Sequence, residues 1–276
     1  MNPQQAKPTS LLSLFKSFLT HRQLIRQLVW REVIGRYRGS IMGLLWSFIN
    51  PVLMLAVYTF VFSVVFKAKW GVETDDNKIG FAIILFVGII VHGLLAEVLN
   101  RAPSLILTNV NYVKKVIFPL EILPFVSLFS ALFHAGISLI VLLLVTTILN
   151  GQFFWTIFLI PVVLLPLAIL ILGFAWLLSS LGVYIRDISQ VIGVLTTILL
   201  FLSPVFFPLS ALPEEYHSVI LANPLTFIIE QARGVLIFGN MPNWFGLGVY
   251  LVIAIITAWL GYFWFQKTRK GFSDVL

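Results

Sequence analysis

From Ile41 to Phe66 the chain runs through 26 residues without a charged side chain. As a helix that stretch would be about 39 Å long, enough to cross the ~30 Å hydrocarbon core of a bilayer with some tilt. Five further apolar stretches follow, at about 79–99, 122–149, 153–181, 188–207 and 244–265. Only 11% of the 276 residues are charged and 59% are hydrophobic, with a mean hydropathy of +1.01. Soluble domains carry about 25% charged residues, so a surface this poor in charge is solvated by lipid. The expected fold is an all-α membrane protein: one transmembrane domain of six helices over residues 1–276, with a cytoplasmic N-terminus at 1–40.

The polar joints between the stretches set the topology. Lys67–Lys78 carries Glu73, Asp75 and Asp76, and Arg101–Pro124 carries Lys114 and Lys115. Asn150-Gly151-Gln152 is so short that spans three and four should form an antiparallel hairpin. Six spans place both termini on one side, and 14 of the 18 Lys and Arg residues then fall on that side. Only Lys67, Lys69, Lys78 and Arg233 fall on the other. The positive-inside rule makes the basic side cytoplasmic. The same distribution accounts for the net charge of +7 and the pI near 9.8 without nucleic acid. With no cysteine there is neither a disulfide framework nor a thiolate metal site.

Several features cluster at the membrane edge. Leu11, Leu14, Phe15 and Phe18, then Leu24, Ile25, Leu28 and Val29, recur at helical spacing with arginines between them. Such a basic amphipathic segment suits the headgroup plane, although a plain positive-inside anchor has the same pattern. After span two, Thr108-Asn109 is placed to cap a short helix that Pro119 would stop. That helix suits docking to a cytoplasmic partner, and an ordinary loop with topogenic lysines remains open. Glu97 lies within a span, a costly place for a charge, and Arg101 four residues on predicts a helical ion pair. His92 and His134 read as interior histidines, with no carboxylate spaced to make a metal site. Val219–Ala222 and Leu225–Ile229, broken by Asn223-Pro224, predict a re-entrant pair, tolerated only where protein or a cavity surrounds it. Trp70, Trp155, Trp244 and Trp264 sit near span ends, as an interfacial belt does. Tyr58, Phe62 and Phe66 share a face of span one, either as packing or as a lining on which sugar rings stack.

Catalytic chemistry is absent from the sequence. No G-x-x-x-x-G-K-[ST] loop cradles a nucleotide, and no G-x-S-x-G, H-E-x-x-H or intramembrane carboxylate pair is present. Uphill movement of a solute would draw its power from another polypeptide.

Specific stretches then carry a resemblance. Arg36-Tyr37-Arg38-Gly39-Ser40-Ile41-Met42-Gly43-Leu44-Leu45-Trp46 followed by Pro51 resembles the approach to the first span in permeases of the type-2 ABC exporter family. Within that family the similarity is to the polysaccharide, O-antigen or teichoic-acid exporting branch. Lys114-Lys115 before Phe118-Pro119, Arg186-Asp187, Ser203-Pro204-Val205, and Asn223-Pro224 with Arg233 continue the resemblance in order, from about residue 20 to 270. It implies a non-catalytic subunit of the bacterial cytoplasmic membrane, acting without a cofactor as a homodimer on two copies of a cytoplasmic ATP-binding subunit. It further implies that Asn109–Phe118, with Asn109, Tyr112, Val113, Lys114, Lys115 and Phe118, is the coupling helix, and that Ser210–Asn240 forms an outer gate. The cargo it suggests is a polyprenyl-pyrophosphate-linked polysaccharide. Arg36, Arg38 and Arg101 would attract the pyrophosphate, and Tyr58, Phe62, Phe66, Phe201 and Phe206 would line the sugar path. The rival readings are a type-2 exporter of a small lipid or drug, a membrane glycosyltransferase or ligase acting on polyprenyl-linked glycans, and a scaffold without cargo.

Overall fold

A computed structural model describes residues 11–66, 78–114, 118–150 and 154–276, and every regular element among them is helical. Lys115, Trp70, most of the Lys67–Lys78 stretch and the Gly151-Gln152 turn lie outside the described residues. Among the described residues, five helical stretches are long and apolar enough to cross a membrane. They are built on α3 (Trp46–Tyr58), α4 (Lys78–Arg101), α6 (Leu123–Asn150), α7 (Ile160–Tyr184) and α11 (Trp244–Thr268), close to the apolar runs of the sequence. Before them come α1 (Leu11–Thr20) and α2 (Arg22–Arg36). α2 turns Ile25, Leu28 and Val33 inward and packs on α6, leaving Arg26, Gln27, Trp30 and Arg31 exposed. At its other end α3 widens into a π turn, Thr59–Val65, where the Phe66 N–H reaches the Val61 carbonyl five residues back at 2.9 Å.

The expected fifth span differs from a full crossing helix. α8 (Ile188–Phe201) has 14 residues, about 21 Å of helix, where the hydrocarbon core needs ~30 Å. The chain turns at Leu202 because Pro204 disfavours helical geometry at Ser203 and brings no N–H of its own. The residues at this turn are still packed as interior, since Ser203 and Val205 are fully buried. α8 runs beside α4: Thr196 Oγ1 donates to Asn100 Oδ1 at 3.2 Å, and the Thr196 carbonyl lies 2.9 Å from His92 Nε2.

α9 (Glu214–Ala222) and α10 (Pro224–Leu236) meet at 94°. Asn223 makes this elbow in both directions. Its Oδ1 accepts from the Leu225 N–H at 2.9 Å, capping α10 ahead of Pro224. Its Nδ2 donates to the Leu199 and Leu202 carbonyls, which the end of α8 leaves without helical donors. Tyr250, six residues into α11, donates to the Pro224 carbonyl at 2.9 Å, placing the elbow about 9 Å below the start of that helix. The other end of α10 returns to the edge, where Thr156 Oγ1 donates to the Val235 carbonyl at 2.7 Å.

Small residues let α7 and α11 cross at backbone contact. A Cβ added to Gly261 of α11 would lie 2.0 Å from the Gly173 carbonyl oxygen of α7, and one added to Gly173 would lie 2.7 Å from the Ala258 backbone. With lipid on both sides there is little hydrophobic gain in pairing helices, so backbone proximity of this kind supplies the packing energy. Gly261→Val should force α7 and α11 apart, at a cost of about 1–3 kcal/mol or more. Thermal unfolding of the purified protein in detergent should show a clear drop in midpoint, while Gly248→Ala, which meets nothing within 4 Å, should leave it unchanged.

Candidate functional site

The end of the bundle that carries α2 also gathers most of the basic residues, and there the segment after α4 forms a compact shelf. α5 (Val110–Lys114) follows two 3-10 turns, Ala102–Ser104 and Leu107–Asn109. Thr108 and Asn109 donate back to carbonyls of the preceding turn, at 2.9 Å each to Ser104 and Leu105. Val113 and Phe118 turn into the chain and are buried. Phe118 stacks on Tyr112 at 4.2 Å and 9°, and the Tyr112 hydroxyl accepts from Arg31 of α2 at 2.9 Å. The Lys114 ammonium donates to the Leu276 carbonyl beside α12 (Phe272–Val275). Thr108, Asn111 and Lys114 face outward. Of the six residues expected at a docking helix, Asn109 and Tyr112 are therefore half-buried and Lys114 exposed.

One buried ion pair fastens this shelf to the bundle. Glu121 and Arg269 meet at 2.6 Å with side chains only 1% and 4% exposed. Arg269 also donates to the Phe118 carbonyl at 3.0 Å, Ser17 of α1 donates to the carboxylate at 3.2 Å, and Trp176 of α7 donates to the Glu121 carbonyl at 3.0 Å. Sequence reading counts Arg269 as one of the tail's topogenic cations. The available signal was Glu121, an acid set among Phe118, Leu120 and Ile122.

Two of the three arginines assigned to an anion, Arg36 and Arg101, are each held in an ion pair, and both act on Glu32. Arg36 pairs with Glu97, and Arg101 pairs with Glu32. The expected Glu97–Arg101 pair is thus replaced by two pairs that cross from α4 to α2, because α2 lies along the same edge and offers each charge a partner of its own. Burial pushes the Glu32 carboxyl up, opposed mainly by the Arg101 charge. Arg38 is exposed, next to Gly39 in the left-handed region at φ 87°. Above the Arg36–Glu97 pair opens a cavity of about 260 Å³ between α3, α4 and α6.

The five aromatic residues assigned to a path do form one connected group. Phe62 contacts Tyr58 at 6.5 Å and Phe66 at 5.8 Å, and stacks on Phe206 at 5.8 Å. Phe206 in turn stacks on Phe201 at 5.7 Å. Phe66 and Phe201 are the exposed edges of the group. Nearby, Arg233 of α10 is buried and donates to the Ile84 and Val205 carbonyls at 3.1 and 3.2 Å, while pairing with Glu230 at 2.8 Å. It thereby binds α10 to α4 and to the turn after α8. Sequence reading took Arg233 as a charge on the outer side and as part of the family resemblance, not as a link between segments; its position between the apolar runs Leu225–Ile229 and Val235–Ile237 was the clue.

Removing Glu121 strands a buried guanidinium. Glu121→Ala should cost about 3–5 kcal/mol, read as a large fall in the thermal midpoint in detergent. The double variant Glu121→Leu/Arg269→Met should recover most of that loss, since it leaves no buried charge behind.

Comparison with known proteins matches residues 23–237 to the family model described as ABC-2 type transporter. The O-antigen export system permease protein RfbA of Myxococcus xanthus is 28% identical over 267 residues, covering 96% of this chain and 99% of the relative. RfbA of Klebsiella pneumoniae is 23% identical over 89% of this chain and 92% of its own. The polysialic acid transport protein KpsM of Escherichia coli is 22% identical over 88% of this chain and 93% of its own.

Proposed function

This multi-pass membrane chain belongs to the ABC-2 type transporter family, and we propose that it is the permease subunit of an ATP-driven polysaccharide exporter in the bacterial cytoplasmic membrane. The observation that carries the reading is the shelf around α5: an outward polar face of Thr108, Asn111 and Lys114 on a segment braced from behind by Arg31, Phe118 and α12. A braced surface transmits a push, whereas a free loop would absorb it. The names of the relatives support O-antigen-like polysaccharide as cargo.

In this reading two copies of the chain form the conduit and two copies of a separate ATP-binding subunit engage the α5 shelves. ATP binding closes the ATPases and drives the shelves, opening a path at the subunit interface. Arg36, Arg38 and Arg101 attract the pyrophosphate of a polyprenyl-linked polymer at the cytoplasmic edge. Tyr58, Phe62, Phe66, Phe201 and Phe206 offer ring faces on which sugars stack, and repeated cycles move a long polymer. α9 and α10 dip in from the outer side as a re-entrant pair and form the outer gate, with Arg233 holding α10 in place. Together with α8 and the turn after it as the fifth crossing, this arrangement leaves both termini in the cytoplasm and α1–α2 in the inner headgroup plane.

Two experiments test the reading. Lys114→Glu should cut surface polysaccharide at least tenfold and let polymer accumulate inside, with membrane insertion intact; export at the unaltered level would remove α5 from the coupling role. Because the chain has no cysteine, single cysteines report topology directly. Ser218→Cys should react with an impermeant maleimide from outside, whereas Lys270→Cys should react only after the membrane is opened.

A further inference from the structure

The cavity between α3, α4 and α6 is graded along its length. One end holds Arg36, Tyr37, Glu97, His134, Ser47 and Asn50, whereas the deeper end is walled by Met54, Phe86, Ile89 and Ile90. Among the described residues, His134 Nε2 is shielded from solvent and finds no hydrogen-bond partner, a costly state that a bound acceptor would relieve. A polar head against an apolar tail is the pattern of an amphiphile. The size is restrictive: about 260 Å³ corresponds to roughly nine waters at ~30 Å³ each, below the usual ~300–1,000 Å³ of a drug-sized site. That volume suits a small headgroup and the first carbons of one chain, without room for two acyl chains and a glycerol.

The polar end holds a charge arrangement suited to exchange. Arg36 and Glu97 are 41% and 23% exposed, so their pair can be reached from outside. Arginine prefers planar, bidentate recognition of phosphate or carboxylate, and Glu97 presents to Arg36 the geometry of an anionic oxygen pair. Glu97 also has a second cation on its own helix, one that Glu32 holds in this structure. Arg101 lies four residues on, in the favourable order for a pair along one helix.

We propose that this cavity seats the phosphate head of a single-chain isoprenoid lipid, with Glu97 acting as an internal stand-in that holds Arg36 until the phosphate takes it. The incoming phosphate accepts from Arg36, with Tyr37, Asn50 and His134 as further donors. Glu97 then turns to Arg101, sharing that guanidinium with Glu32. The isoprenoid identity rests on the proposed polyprenyl-linked cargo; the phosphate seat rests on the cavity alone.

The test titrates the full-length protein in neutral, phosphate-free detergent with farnesyl phosphate, following saturable binding by calorimetry. Farnesol and inorganic phosphate supply the tail and the head alone, and each should bind at least tenfold more weakly. Arg36→Gln should weaken farnesyl phosphate at least tenfold. Gly93→Leu, at a position where an added Cβ meets nothing within 4 Å, should fill the cavity and weaken binding similarly with every charge in place. Glu97→Gln removes the competitor and should tighten binding at least threefold. Unchanged or weaker binding in Glu97→Gln overturns the stand-in, and full binding in Gly93→Leu overturns the cavity as the seat. Lysophosphatidic acid binding as tightly as farnesyl phosphate overturns the isoprenoid assignment. Export assayed in the same cells separates this inference from the exporter reading: no saturable binding beside normal export sinks the seat alone, and binding as described with no effect of gene deletion on surface polysaccharide sinks the exporter alone.

Discussion

Glu121 and Arg269 place opposite charges where neither meets water, a costly arrangement unless geometry and extra hydrogen bonds offset the desolvation. Ser17 on the carboxylate and the Phe118 carbonyl on the guanidinium supply part of that offset, while Arg269 Nε finds no partner among the described residues. The effect is to join four chain segments at one point: α1, the start of α6, α7 through Trp176, and the end of α11. An apolar patch of the same size would bury area as well, but it would tolerate sliding. A charged pair with directed donors fixes one register, and the α5 shelf is held in the position that register dictates.

The rest of the bundle divides by how tightly its helices are held. α7 and α11 cross at backbone contact through Gly173, Ala258 and Gly261, and α4 is enclosed for most of its length. The stretch containing α3, by contrast, is mostly exposed, and α8 is short and exposed on one face. Those two elements bring Phe62, Phe66, Phe201 and Phe206 together. The tight pair supplies a frame, and the aromatic group sits on elements whose outer faces are exposed.

Hydropathy made most of this fold legible, because a lipid solvent demands an uninterrupted apolar run for every crossing helix. The helices built on α3, α4, α6, α7 and α11 follow their runs closely. α8 does not, since hydropathy continues to Phe207 whereas the helix ends at Phe201, ahead of Pro204. Charge partners were the least legible. The i,i+4 rule sees only one helix, so it joined Glu97 to Arg101, while the docking of α2 along the same edge gave Glu97 to Arg36 and Arg101 to Glu32. Arg233 and Arg269 were hidden for a related reason: a cation near a span end looks topogenic until a partner from a distant segment is known. The aromatic stripe of span one was visible by periodicity, but its junction with Phe206 depends on the turn after α8.

The π turn at Thr59–Val65 gives the second half of span one a property that a regular helix lacks. Turns of this kind are rare and recur at functional sites. Relaxing one to α geometry shifts the register by about one residue, which swings the two ends of the span by about 100° relative to each other. Main-chain hydrogen bonds change partners without being lost, so no polar backbone need be bared to lipid. A register change at this turn would therefore rotate Phe62 relative to Phe206 without unwinding the span.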